Sequence, residues 1–299
     1  MKKLILTGIL FFTFTGLFAC DICGCSASGY FFGPFPQFKS HFYGVRYYFR
    51  SFNSQVKDDA SQFSKDFYQT AEIWGGLNVG KKWQLMAFVP YNFNKQKSDD
   101  GTNSMNGIGD ITLLANYKIL NNSRQLKNGK NIRQQLMFGA GIKIPTGKFS
   151  ADPDDIIAGA NNQPGSGSVD VLLNSMYTLQ INTWGVNGTL NYKINNSADQ
   201  FRFGNTLNAN LFAFKNITAK SLIISPNVGL MYENLQANQL ENLKVADTGG
   251  NALLCAAGVE INMSKVTFGV NVQLPIDQNL SAGQTKIQSR GIAHVTFAF

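Results

Sequence analysis

Charge is scarce in this sequence: Asp, Glu, Lys and Arg make up 15% of its 299 residues, against roughly 25% in an ordinary soluble domain. Long apolar stretches do not replace it. Mean hydropathy is only −0.10, because Asn, Gln, Ser, Thr and Gly occupy the vacated positions. Beyond the first nineteen residues no apolar run approaches the ~20 residues that a membrane-crossing helix needs, which excludes a helical membrane protein. Lys/Arg-rich runs are also missing, so the formal net charge of +8 leaves no footprint for nucleic acid. There are two histidines, His41 and His294, and no Gly-x-Ser-x-Gly elbow to place a serine nucleophile beside either. The sequence therefore predicts no enzyme.

What is present is alternation. From Ile287 to Phe299 the odd positions Ile287, Gly291, Ala293, Val295, Phe297 and Phe299 form a largely apolar face, and Gln288, Arg290, His294 and Thr296 a mostly polar one. That is a strand with an apolar medium on one side and water or polar groups on the other. The same grammar recurs in Ser40–Phe52, Phe67–Val79, Trp83–Asn94, Gly107–Leu120, Arg133–Thr146, Ser168–Leu179, Trp184–Ile194, Phe201–Phe214, Leu222–Glu233, Asn251–Met263 and Val266–Ile276. These segments are long for a soluble sandwich and long enough to cross a bilayer as tilted strands of about 9–11 residues. Connections mostly alternate too, with Asn121–Ile132 breaking the pattern. Lys95–Asn106, Gly147–Gly167 and Asn234–Gly250 are long and polar, whereas Gly80–Lys82 and Ser264–Lys265 are tight. The pattern predicts an all-β, antiparallel up-and-down transmembrane barrel of about 12 strands, spanning residues 40–299, with both termini and the tight turns on the periplasmic side of a Gram-negative outer membrane.

The start of the chain reads differently. Lys2 and Lys3 precede the apolar Leu4–Phe18, and Ala19 precedes Cys20, the order of an export signal over residues 1–19. Residues 20–39 form a periplasmic segment with Cys20, Cys23 and Cys25 followed by Tyr30, Phe31, Phe32, Phe35 and Phe38. Three close thiols suit a soft metal such as Cu or Zn. Alternatively Cys20 is the lipidated first residue of a lipoprotein, or the thiols form a disulfide in an oxidising compartment. Cys255, on an apolar face, reads as a small hydrophobe.

Three segments resemble the outer-membrane β-barrel transporter family named for the MetA pathway of phenol degradation. They are Asn106–Ile119 (NGIGDITLLANYKI), Gly139–Lys148 (GAGIKIPTGK) and Gly165–Leu179 (GSGSVDVLLNSMYTL). The Gly-x-Gly-Asp strand opening, the Pro-Thr-Gly exit and the Gly-Ser-Gly-Ser-x-Asp re-entry follow the family's order. The resemblance implies a passive channel for small solutes, often hydrophobic or aromatic, lodged among outer-membrane lipids. As in outer-membrane barrels generally, the final Phe299 is expected to be read by the barrel assembly machinery. The Cys-x-x-Cys-x-Cys start lies outside the family pattern. It leaves open a second reading, a non-transporting barrel whose thiol-rich tail handles metal or binds a partner.

Folding the three motif strands as antiparallel neighbours points Asp110, Lys143 and Asp170 inward near the outer rim, with Lys143 on the central strand. Arg50 and Arg290 face inward across the first-to-last seam, and Arg46, Glu72, His294 and Arg202 share the inward face. These charges either select solutes at a constriction or pair to make a narrow lumen rigid.

Overall fold

In the computed structural model, which describes residues 41–299 apart from 57–58, 100, 128 and 151–159, twelve antiparallel strands close into one barrel. They are β1 (Phe42–Val56), β2 (Asp59–Val79), β3 (Trp83–Ser98), β4 (Ile111–Gln125), β5 (Asn131–Ile144), β6 (Asp170–Ile181), β7 (Trp184–Ile194), β8 (Thr206–Lys215), β9 (Leu222–Leu235), β10 (Gly250–Met263), β11 (Val266–Leu280) and β12 (Thr285–Ala298). Each pairs with its neighbours in sequence, and β12 returns to β1 in a ladder from Phe42↔Ala298 to Ser54↔Thr285. Closure satisfies the backbone groups that an edge would leave bare in lipid. The export signal and the cysteine segment lie outside the described residues.

Alternation makes the wall two-faced. Tyr43, Val45, Ile73, Leu77, Leu85 and Val270 stand exposed on the outside, while Arg46, Glu72, Asn116 and Asn210 are buried within. At one end the turns are tight and use left-handed residues, Gly80 (φ 61°), Asn182 (φ 53°) and Ser264 (φ 58°), as hairpins between right-twisted strands require. The described ends of the chain meet there. Phe299 N–H donates to the His41 carbonyl at 2.9 Å, the two rings stack at 5.5 Å, and His41 Nδ1 accepts from Asn78 N–H at 3.1 Å. Trp83 and Trp184 are exposed near this end, where indoles favour the boundary between lipid and water.

Three sequence expectations need correction. Ile287 faces inward and is 1% exposed, because a bulge between the Ser51↔Ser289 and Phe52↔Ile287 pairs reverses the parity of the strand beyond it. The expected strand Gly107–Leu120 is broken at Gly109–Asp110. Residues Gly101–Ile108 pair with the upper part of β3, extending the supposed loop 95–106 as a hairpin, and β4 begins only at Ile111. The step falls at Pro90, which has no N–H for the ladder and whose carbonyl accepts from Gly109 N–H at 2.9 Å. Likewise Phe201–Arg202 is not the start of β8. It belongs to a small sheet with Ser197–Ala198, Gln239–Leu240 and Leu243–Lys244 at the long-loop end, so Arg202 lies outside the lumen wall. The chain turns between the two at Gly204, whose N–H donates to Asn238 Oδ1 at 3.0 Å and whose carbonyl accepts from Asn195 Nδ2 at 2.6 Å.

Candidate functional site: a charged cavity beneath an inward-folded loop

The long connection between β5 and β6 does not stay outside the barrel. Its returning limb carries a turn of helix, Ala160–Asn162, whose residues are all buried. Asn92 Nδ2 donates to the Pro164 carbonyl and Asn94 Nδ2 to the Asn162 carbonyl, both at 2.9 Å, so β3 holds this limb from the lumen side. Gln163 clasps the outgoing limb, accepting from Ser150 N–H at 2.6 Å and donating to the Ser150 carbonyl at 2.9 Å. Phe149, Ala160, Phe201 and Phe203 form an apolar cluster behind it.

The family motifs fasten this loop. Lys143 Nζ lies 2.8 Å from Asp110 Oδ2 and 2.6 Å from Asp170 Oδ2, and it also bonds Ser166 Oγ. Asp110 accepts from Ser166 N–H (2.9 Å), Ser166 Oγ (2.8 Å) and Gly147 N–H (3.1 Å). Asp170 Oδ1 accepts from Ser168 Oγ (2.7 Å) and Asn196 N–H (3.0 Å). Thr146 Oγ1 donates to the Gly109 carbonyl at 2.8 Å and accepts from Ile111 N–H at 3.0 Å. Gly147 and Gly165 cross so closely that a Cβ on the first would come within 2.6 Å of the second's Cα, so both positions demand glycine. One ammonium between two carboxylates, each carboxylate further hydrogen-bonded, is the arrangement that makes buried ions tolerable.

Below the loop lies a cavity of about 130 Å³ whose lining includes Lys143, Lys193, Arg50, Arg290, Glu72 and Glu233, together with Tyr48, Tyr68, Phe88 and Met231. Arg50 and Arg290 are ladder partners. Arg290 Nη1 reaches Glu233 Oε1 at 2.7 Å, a chord from β12 to β9 across β10 and β11. Its guanidinium also sits 5.5 Å from the Phe52 ring centre. Deeper still, Arg46 Nε donates to Glu72 Oε1 at 2.8 Å, and the guanidinium lies 4.2 Å over Trp74 and 5.1 Å from Phe88. Phe42, Trp74, Met86, Phe88, Leu114 and Leu172 pack together at this level.

Sequence reading thus names Asp110, Lys143 and Asp170, which the fold brings into contact, and Arg50 and Arg290, which line the same cavity as Lys143. Arg46, outside the lining, pairs with Glu72, which lines the cavity. His294 lies elsewhere: its Nε2 is 3.0 Å from Glu260 Oε1 and its Nδ1 3.3 Å from Thr296 Oγ1. Thr296 is 2% exposed, and none of the three lines the cavity. Ser166, Lys193, Glu233 and Glu260 escape the sequence reading. Ser166 sits inside the quoted motif, and the other three share the inward parity of their strands. Among the described residues no His/Cys/Asp/Glu group could hold a metal ion, and Cys255 is exposed on the outer face.

Fold and wall define a closed outer-membrane β-barrel. The chain belongs to the family described as "Putative MetA-pathway of phenol degradation", whose model matches residues 46–279. Its architecture is similar to an outer membrane channel from Pseudomonas putida F1, with a TM-score of 0.61 and 16% identity over 87% of this chain and 96% of that one. It is also similar to the β domain of the Bordetella autotransporter BrkA, with a TM-score of 0.52 and 11% identity over 87% and 100% of the two chains. No curated protein sequence matches significantly.

Proposed function

We propose that the protein is a passive channel for small solutes, with the cavity beneath the inward-folded loop as its selective station. The observation that carries this reading is the lining itself. Cations and carboxylates alternate with Tyr48, Tyr68, Phe88 and Met231, which suits a small molecule with one apolar ring and one polar group. The volume of about 130 Å³ is close to the roughly 150 Å³ of an interior cavity that accepts benzene. The family's description supports phenol-like compounds as the solute class. The long-loop end faces outward in this reading and the tight-turn end faces the periplasm, which would place Cys20, Cys23 and Cys25 on the periplasmic side. An epitope inserted at Leu243–Lys244 should be detected on intact cells, and one at Ser264–Lys265 only after permeabilisation.

A sealed barrel is the second reading, favoured by the packing of Arg46, Trp74 and Phe88 beneath the cavity. Planar-bilayer conductance and liposome swelling with phenol-sized solutes separate the two. A channel gives discrete conductance steps and swelling above that of protein-free liposomes. Absence of both would reject transport.

A further inference from the structure

The outer face of the barrel carries a feature that the lumen does not explain. On the seam strands the outer side carries lysines toward the long-loop end, Lys286 on β12, Lys65 on β2, and Lys95 and Lys97 on β3, all exposed, with exposed Phe63 one step beyond Lys65 on β2. The ladders place them side by side. Lys286 is opposite Asn53, Asn53 opposite Lys65, and Lys65 opposite Lys97, so the row spans three strand spacings, on the order of 14 Å. Lys95 lies one step lower, opposite Phe67. Two like charges directly opposite in a ladder repel, yet Lys65 and Lys97 occupy that arrangement, and none of the four lysines joins an ion pair closer than 4 Å among the described residues.

The row's height is informative. Immediately below it on the same face stand Phe67 and Phe93, which are ladder neighbours of Lys95 and Gln69, and then Tyr91, Ile73 and Val89. An aromatic belt followed outward by a row of ammonium groups matches a bilayer boundary, with rings at the interface and cations at headgroup depth. A shallow groove beside the row is lined by Asn53, Gln55, Phe63, Lys65, Lys286 and Gln288, offering amide donors next to the charges.

We propose that this face binds a phosphate-bearing glycolipid headgroup of the leaflet that surrounds the long-loop end, its phosphates bridging Lys65, Lys97 and Lys286 and its acyl chains lying against the aromatic belt. The bridging anion would relieve the Lys65–Lys97 repulsion. Binding in detergent does not depend on which way the barrel faces, so its failure is distinguishable from failure of the orientation proposed above.

The test uses the folded full-length protein in detergent and native mass spectrometry with bisphosphorylated lipid A, the same lipid without phosphates, and inorganic phosphate. The variant is Lys65→Gln, Lys97→Gln, Lys286→Gln combined, its folding checked by heat-modifiable electrophoresis. The parent should retain bisphosphorylated lipid A at least tenfold more tightly than the variant, and lose that advantage with the dephosphorylated lipid. Equal retention by parent and variant would overturn the proposal. So would inorganic phosphate binding as tightly as the lipid, which would make this a free-anion site. Should the triple variant not fold, Lys65→Gln alone is expected to lower retention at least threefold, and unchanged retention would count equally against the idea.

Discussion

The lumen holds two kinds of ionic cluster, and they are built differently. Around Lys143 the charges sit on β5, at the start of β6 and just before β4, and their hydrogen bonds run into the backbone of the loop that folds over the cavity. Around the seam the contacts are side chain to side chain: the ion pairs Arg46 with Glu72 and Arg290 with Glu233, and the hydrogen bond between His294 and Glu260. The second reaches past two intervening strands and the third past one. The first cluster therefore fixes a loop, whereas the second braces the wall. Disturbing the first should change what passes, and disturbing the second should change mainly how well the barrel holds together.

Lys143→Ala should have the largest effect. It removes the ammonium that Asp110 and Asp170 share and leaves only the more distant electrostatic coupling to Lys193, a loss of up to about 3–5 kcal/mol by the usual cost of breaking a buried pair. The heat-modifiable band should unfold at lower temperature, and ion preference should change because the loop limb Ala160–Ser168 loses its anchor. Unchanged selectivity with lowered heat resistance would reduce this cluster to a brace like the other. Glu233→Gln comes next, at roughly 1.5–3 kcal/mol for a charged hydrogen bond. It should lower the unfolding temperature, and because it removes one negative charge from the cavity lining it should shift reversal potentials toward anions. Gly269→Ala should cost about 1–3 kcal/mol, since the new Cβ would collide with both His294 Nε2 and Glu260 Oε1. Conductance should stay near the parent's, because neither partner lines the cavity. Thr146→Val, which loses the bonds to Gly109 and Ile111, should cost about 1 kcal/mol for each net bond lost and be visible only as a small shift in thermal unfolding.

The same contrast explains what the sequence discloses. Period-two patterning reports which face meets lipid, so the twelve staves are legible from the positions of Tyr43, Ile73, Leu85 and their kind. It fails where one extra residue enters a strand, as at the bulge that turns Ile287 inward. It fails again where proline interrupts a ladder, as at Pro90. The Lys143 cluster is legible because its members lie on sequence-adjacent strands inside recognisable motifs. The chord from Arg290 to Glu233 is not, since partners separated by two strands meet only through the curvature of the closed barrel. The inward course of the loop is also hidden. Its polar composition suits solvent equally well, and only the amide ladder of Asn92 and Asn94 reveals that its backbone is received inside.

The most direct test of the account is single-channel conductance of the parent barrel beside Asp110→Ala in the same planar bilayer. Removing Asp110 takes away the acceptor shared by Lys143, Ser166 and Gly147. A small parent conductance that rises severalfold in the variant, with altered ion preference, is the predicted result. Identical conductance and selectivity in the two proteins would contradict the claim that the fastened loop controls passage.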